Sequence, residues 1–176
     1  MTPLPASRFE SRVLRMLAEL TALVEIESPT PDKAAVDRVG AVIYRQMLAL
    51  GAAVEISPQP DAGDHLIARW NANADGGGIL ILCHMDTVYP LGALSGQPVR
   101  QEDGRLYGPG TLDMKAGIVL ALHAIEALRD ARALARPLTL LCTSDEETGS
   151  RTSRALIENL AGQHALTLGG AEEFQE

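Results

Sequence analysis

Two apolar runs in this chain end abruptly on polar clusters. Ile79 to Cys83 gives way to His84 and Asp86, and Leu138 to Cys142 gives way to Asp145, Glu146 and Glu147. Unbroken apolar character over about five residues suits a strand covered on both faces, so Ile79 to Cys83 is placed centrally in a sheet and Leu138 to Cys142 is read as the next buried strand. Ahead of them, Val13, Met16, Leu17, Leu20 and Val24 recur at helical spacing, as do Val36, Val39, Ile43, Met47 and Leu50 before Gly51. Ser7 and Glu10 have the spacing of a capping box, and Thr30 before Pro31 reads as a second helix start. The stretches AAVEI (52–56) and HLIARW (65–70) predict strands separated by the turn signals of SPQPDAGD. Gly76, Gly77 and Gly78 turn the chain into Ile79, and the glycine-bearing segment 90–110 predicts an irregular connection with a short hairpin. Beyond Asp113, Ile118, Leu122, Ile125 and Leu128 mark a helix that lies against the sheet. TSRALIENLAG predicts a helix stopped by Gly162, and HALTL a last strand. Strands alternating with helices define an α/β layer architecture.

Composition narrows the function classes. A hydrophobic share of 46% with 22% charged residues describes a soluble globular domain. The formal charge of −8, with thinly spread Lys and Arg, argues against nucleic-acid binding and against anionic membranes. Cys83 and Cys142 both end apolar runs, where cysteine acts as a small buried hydrophobe, so no disulfide is expected. The N-terminus lacks the apolar core of a secretory signal, and no stretch approaches the roughly 18 apolar residues of a membrane span. A cytoplasmic location is the expectation.

The polar clusters fall where α/β sheets bind ligands, at the carboxyl ends of strands. Side chains at i and i+2 of a strand share a side, so His84 and Asp86 can touch, and a carboxylate on one ring nitrogen is the usual support of a metal-binding imidazole. Taken alone, the pair equally describes a hydrogen-bonded histidine and a turn-capping aspartate. Viewed alone, Asp113, between a glycine-rich turn and a helix, also admits reading as an N-cap, and Asp145 to Glu147 as a solvated turn, the commonest fate of short charge runs. Taken together, one histidine and several carboxylates form a donor set suited to zinc. A nucleotide site is disfavoured, because YGPGTLDMKAG has neither a phosphate-loop ending nor the dinucleotide glycine pattern.

In order and spacing, HMDTVYP, YGPGTLDMKAG and SDEETGS resemble the zinc-dependent exopeptidase and amidohydrolase family. That family includes glutamate carboxypeptidase, aminoacylase, acetylornithine deacetylase and succinyl-diaminopimelate desuccinylase. The wording is nearest to the glutamate carboxypeptidase branch, and the likeness extends to about residue 160. The resemblance implies a three-layer helix-sheet-helix catalytic domain that hydrolyses an amide bond to a C-terminal or N-acylated amino acid, with two zinc ions. It implies that His84 binds one zinc, Asp86 orients that histidine, Asp113 bridges both ions, Glu147 ligates the second and Glu146 is the general base. It also implies a cis peptide after Asp113, a small peptide or N-acyl amino acid substrate, and a homodimer. Cys83 departs from the family's usual glycine. Residues 1–176 are accordingly expected to be the N-terminal part of such a catalytic domain, incomplete, with the C-terminal half and the lid or dimerisation domain absent. Residues 163–176 read as an atypical tail in which Glu172 and Glu173 stay unassigned, and catalysis by this chain alone is expected to be impaired, the alternative being a noncatalytic α/β binding module or metal-binding remnant.

Overall fold

The computed structural model describes residues 4–164 and 166–168; Glu172 and Glu173 lie outside the described residues. The chain opens with helices α1 (Ser7–Glu10), α2 (Val13–Val24) and α3 (Lys33–Ala49), then strands β1 (Ala53–Ser57), β2 (His65–Trp70) and β3 (Ile79–His84). A single turn α4 (Ala93–Gly96) and a hairpin of β4 (Arg100–Glu102) and β5 (Arg105–Tyr107) follow, supplying the short hairpin expected in the long connection. Helix α5 (Ala116–Asp130), strand β6 (Leu138–Thr143), helix α6 (Arg154–Gln163) and strand β7 (Leu166–Leu168) complete the described elements.

The main sheet has the order β1-β2-β6-β3-β7. β1 and β2 are antiparallel, β2 runs antiparallel to β6, and β3 is parallel to both β6 and β7. Alternation along the strands divides the core in two. Leu66, Ala68, Trp70, Leu138, Leu140 and Cys142 pack with Leu23, Val39, Ile43, Ile118 and Leu122 of α2, α3 and α5. Ile67, Leu80, Leu82 and Leu141 face the other way, onto Leu156, Ile157 and Leu160 of α6. The result is three layers, with β3 and β6 covered on both faces, as the apolar run Ile79 to Cys83 and the largely apolar β6 require. Cys83 and Cys142 are register partners on adjacent strands, both buried and neither in a disulfide. Trp70 is accommodated because its indole N–H donates to the Leu50 carbonyl at 2.9 Å.

Several local signals resolve differently from the sequence reading. Ser7 and Glu10 form no capping box: Ser7 lies inside the one-turn α1, whose cap position is Ala6 with no side-chain bond. Thr30 does not start α3; Asp32 does, accepting the Ala35 N–H at 2.9 Å, because the chain at 28–30 is engaged beside Thr87. α6 continues to Gln163 rather than stopping at Gly162, and β1 begins one residue later than expected, at Ala53. Among the described residues no helix is long and apolar enough to cross a membrane.

Candidate metal centre

The parallel register of β3 and β6 sets His84 opposite Thr143, so the residues after each strand leave the sheet side by side. Met85 donates its N–H to the Thr143 carbonyl at 2.9 Å, extending that pairing one step beyond β3. On the far side, Thr87 donates its N–H to the Ser28 carbonyl at 2.8 Å, and Thr30 donates its own to the Thr87 carbonyl at 3.2 Å. Asp86 is therefore enclosed between the loop after α2 and the turn after β6. It is fully buried.

Asp86 spends both carboxylate oxygens on this enclosure. Oδ2 accepts the Thr30 hydroxyl at 2.8 Å and the Glu147 N–H at 3.2 Å, while Oδ1 accepts the Glu146 N–H at 3.4 Å and lies 3.4 Å from His84 Nδ1. The same ring nitrogen is 3.2 Å from the Asp86 carbonyl oxygen. With Nδ1 directed at Asp86, Nε2 faces the other acids: Asp113 Oδ1 at 2.9 Å and Glu146 Oε2 at 3.6 Å.

Asp113 reaches this point from a distant part of the sequence. Gly110 adopts a left-handed φ of +69°, and a Cβ there would stand 2.5 Å from Thr87 Cγ2, so only glycine lets the turn close onto the strand end. Asp113 and Met114 leave the helical region between that turn and α5, and the peptide joining them is cis, as the resemblance implies. The next residue, Lys115, is buried and donates to the Ile26 carbonyl at 2.7 Å, tying the segment to the end of α2. Burial lowers the Lys115 ammonium to a pKa of about 8.

His84, Asp113 and Glu147 each offer one ligand atom, all within 4.8 Å of one another. The donor set and the charge balance both fit a divalent cation. Burial disfavours a charged His84, but the bond to Asp86, the charge of Asp86, the bond to Asp113 and the charge of Glu146 outweigh it and raise the imidazole to about 9. Burial also raises the Glu147 carboxyl above its ordinary value; the charge of His84 opposes the rise, and Asp113, Glu146 and Asp86 add to it. Crowded carboxylates around one imidazole constitute a site that favours added positive charge.

The residues read from the sequence, His84, Asp86, Asp113, Glu146 and Glu147, thus come together at the carboxyl ends of β3 and β6. Asp145 belongs elsewhere: its side chain turns away and accepts the Thr152 N–H at 2.6 Å, the Thr152 hydroxyl at 2.8 Å and the Ser153 hydroxyl at 2.7 Å. Sequence reasoning missed this anchor, and it missed Thr30, Lys115 and Met114, whose Sδ lies 3.1 Å from the His84 backbone nitrogen. The Ser and Thr residues following SDEE were the available sign that one acid of the run is consumed locally.

The fold and this cluster define an α/β protein with a candidate metal centre at the carboxyl ends of two parallel strands. The peptidase family M20/M25/M40 matches residues 80–173, and the chain belongs to that family. It is 33% identical over 149 residues to carboxypeptidase G2 of Pseudomonas sp. (strain RS-16), covering 83% of this chain and 36% of that one. It is 39% identical over 118 residues to an acetylornithine deacetylase of Yersinia pseudotuberculosis serotype O:1b (strain IP 31758), covering 62% of this chain and 30% of the relative. The chain therefore spans about a third of the curated relatives it matches. Human carnosine dipeptidase 1 shares its fold at a TM-score of 0.79 and 21% identity, over 92% of this chain and 39% of that one. An M20 family metallo-carboxypeptidase from Sulfolobus solfataricus does so at 0.75 and 22%, over 88% and 36%.

Proposed function

We propose that this chain carries part of the metal site of a zinc-dependent hydrolase that cleaves an amide bond to a C-terminal or N-acylated amino acid. One observation carries the reading: His84, Asp113 and Glu147 converge within 4.8 Å although they come from three separate stretches of sequence. The two curated relatives, a carboxypeptidase and a deacetylase, support amide cleavage, and the Sulfolobus relative, a metallo-carboxypeptidase, supports a metal.

His84, Asp113 and Glu147 would hold the ion. When bound, zinc supplies Lewis acidity that brings the pKa of water towards about 7 and polarises a carbonyl. Asp86 keeps the His84 ring in one orientation, with Nδ1 turned inward and Nε2 turned to the cluster. Glu146, part-buried and 3.6 Å from His84 Nε2, accepts a proton from the attacking water and returns it to the departing amine. A small peptide or N-acyl amino acid is the substrate class consistent with a carboxypeptidase and a deacetylase among the relatives.

Calorimetric zinc titration of the chain tests the reading, beside His84→Ala and Asp113→Ala variants and an assay of N-acyl glutamate hydrolysis with Glu146→Gln. Expected is zinc binding that both alanine variants abolish, with any turnover lost in Glu146→Gln while binding persists. Equal zinc binding by all forms would refute the metal centre.

A further inference from the structure

Behind the turn that carries Glu146 and Glu147, a chain of hydrogen bonds runs through His65, at the start of β2. His65, Ser144 and Ser153 are fully buried and Asp145 nearly so. Ser144 Oγ lies 2.5 Å from the Gly63 carbonyl oxygen and 3.0 Å from His65 Nδ1. His65 Nε2 lies 3.0 Å from Thr152 Oγ1, which is 2.8 Å from Asp145 Oδ2.

The proton inventory of this chain constrains the ring. Each hydroxyl has one proton to give, while a carbonyl and a carboxylate only accept. Ser144 therefore gives its proton to Gly63, and Thr152 gives its own to Asp145. Both hydroxyls then present lone pairs to the imidazole, so both ring nitrogens must donate. Only the doubly protonated ring can do that. A neutral ring has one bare nitrogen, and one hydroxyl must turn towards it: Ser144 leaves the Gly63 carbonyl, or Thr152 leaves Asp145.

We propose that His65 is a proton-responsive positioning residue for the Glu146–Glu147 turn. Its doubly protonated form closes the chain Gly63, Ser144, His65, Thr152, Asp145, and its neutral form releases one end of that chain. The consequence for metal affinity rests on the reading that this turn supplies Glu146 and Glu147 to the metal site. The coupling is short, since Asp145 immediately precedes Glu146 and Ser144 precedes Asp145. Burial disfavours the charged ring most strongly and places its pKa below the ordinary 6.5, against the opposing charges of Asp145, Asp64 and Asp86. Asp64 is itself engaged by Lys33 at 2.5 Å. The ring is therefore neutral at neutral pH, and the closed chain forms on the acid side.

Nuclear magnetic resonance of the metal-free 176-residue chain tests this, with His65→Asn alongside and His65→Gln as a second variant should the first fail to fold. The ring nitrogens report protonation and tautomer, and the amides of Glu146, Glu147, Thr152 and Ser153 report the turn. Expected is that these amides shift with the same midpoint as the ring, and that the variants lose this transition. Zinc affinity, measured at about pH 5.5 and about pH 7.5, should show a ratio of wild type to variant that changes about fivefold or more. Amides that stay still through the ring titration, the same transition in a variant, or a ring that stays neutral wherever the chain is folded would each overturn the proposal. So would a constant affinity ratio. Absence of zinc binding in every form would instead sink the metal reading, leaving the amide titration to decide the role of His65.

Discussion

The carboxylate of Asp86 accepts the backbone N–H of Glu147 at 3.2 Å, so a residue following β3 fixes the turn following β6. The same side chain accepts from Glu146 and Thr30 and flanks Nδ1 of His84. One buried acid thereby sets both the direction of the imidazole and the position of the two glutamates. Its role is broader than the ring-orienting one that the family resemblance implies.

Asp86→Asn separates these roles. The amide keeps the volume but loses charge, and its NH2 group must face one of the donors that the carboxylate satisfied: the Thr30 hydroxyl or the amides of Glu146 and Glu147. A buried mismatch of this kind costs about 1–3 kcal/mol. Urea unfolding of the metal-free variant should show that loss, and zinc affinity should fall about 10–100-fold, as when the partner of a metal-binding histidine is removed. Unchanged stability would mean the turn is held by something other than Asp86.

What the sequence disclosed depended on how local the cause was. β3 and β6 were legible because strands covered on both faces are predominantly apolar, and the His84 and Asp86 pairing followed from the two-residue repeat of a strand. Thr30 was misread for the same reason. A hydroxyl before a proline has a local explanation as a helix cap, whereas its actual partner, Asp86, lies 56 residues away. Asp145 could not be told from its two neighbours, since only the fold shows which acid of the run points back to Thr152 and Ser153. Lys115 gave no sign of burial, because nothing in DMKAG announces that its ammonium ends on the Ile26 carbonyl.

Gly110→Ala tests the turn that delivers Asp113. The added Cβ would meet Thr87 Cγ2 at 2.5 Å and would hold an L-residue at φ +69°. Left-handed backbone and overpacking together predict a loss of about 2 kcal/mol or more. Because Thr87 adjoins Asp86, the displaced turn should also weaken zinc binding beyond what lost stability explains. Calorimetry under conditions where the variant is fully folded checks this, and wild-type affinity there would show that Asp113 is placed independently of Gly110.

Asp145 and Glu147 stand two residues apart and should respond in opposite ways. Asp145→Ala leaves the buried Ser153 hydroxyl and the part-buried donors of Thr152 without their acceptor and should cost about 1–3 kcal/mol of stability. Glu147→Gln removes one of several crowded carboxylates, so the metal-free chain should keep or gain stability while losing zinc affinity. Thermal unfolding with and without zinc distinguishes the two. Equal destabilisation by both substitutions would argue that the acids act as one structural unit.

Far from the centre, Glu126 of α5 is bound by Arg12 and Arg15, the latter donating to Oε1 at 3.1 Å through Nη1, and Arg12 also reaches Asp130 at 2.5 Å. The bond from Arg15 is the main cause that lowers the Glu126 carboxyl below its ordinary 4.5, burial opposing it. A carboxyl whose pKa is lower in the folded chain stabilises it fully above about pH 4.5, and that contribution fades as the pH falls through the lowered value. With Arg15 half exposed, solvent screening limits the contribution to about 1 kcal/mol. Glu126→Gln should therefore cost about that much at neutral pH and little once wild-type Glu126 is itself protonated. Urea unfolding of both forms at neutral pH and on the acid side checks it. A deficit that persists unchanged into acid would assign the effect to lost packing between α2 and α5 rather than to charge.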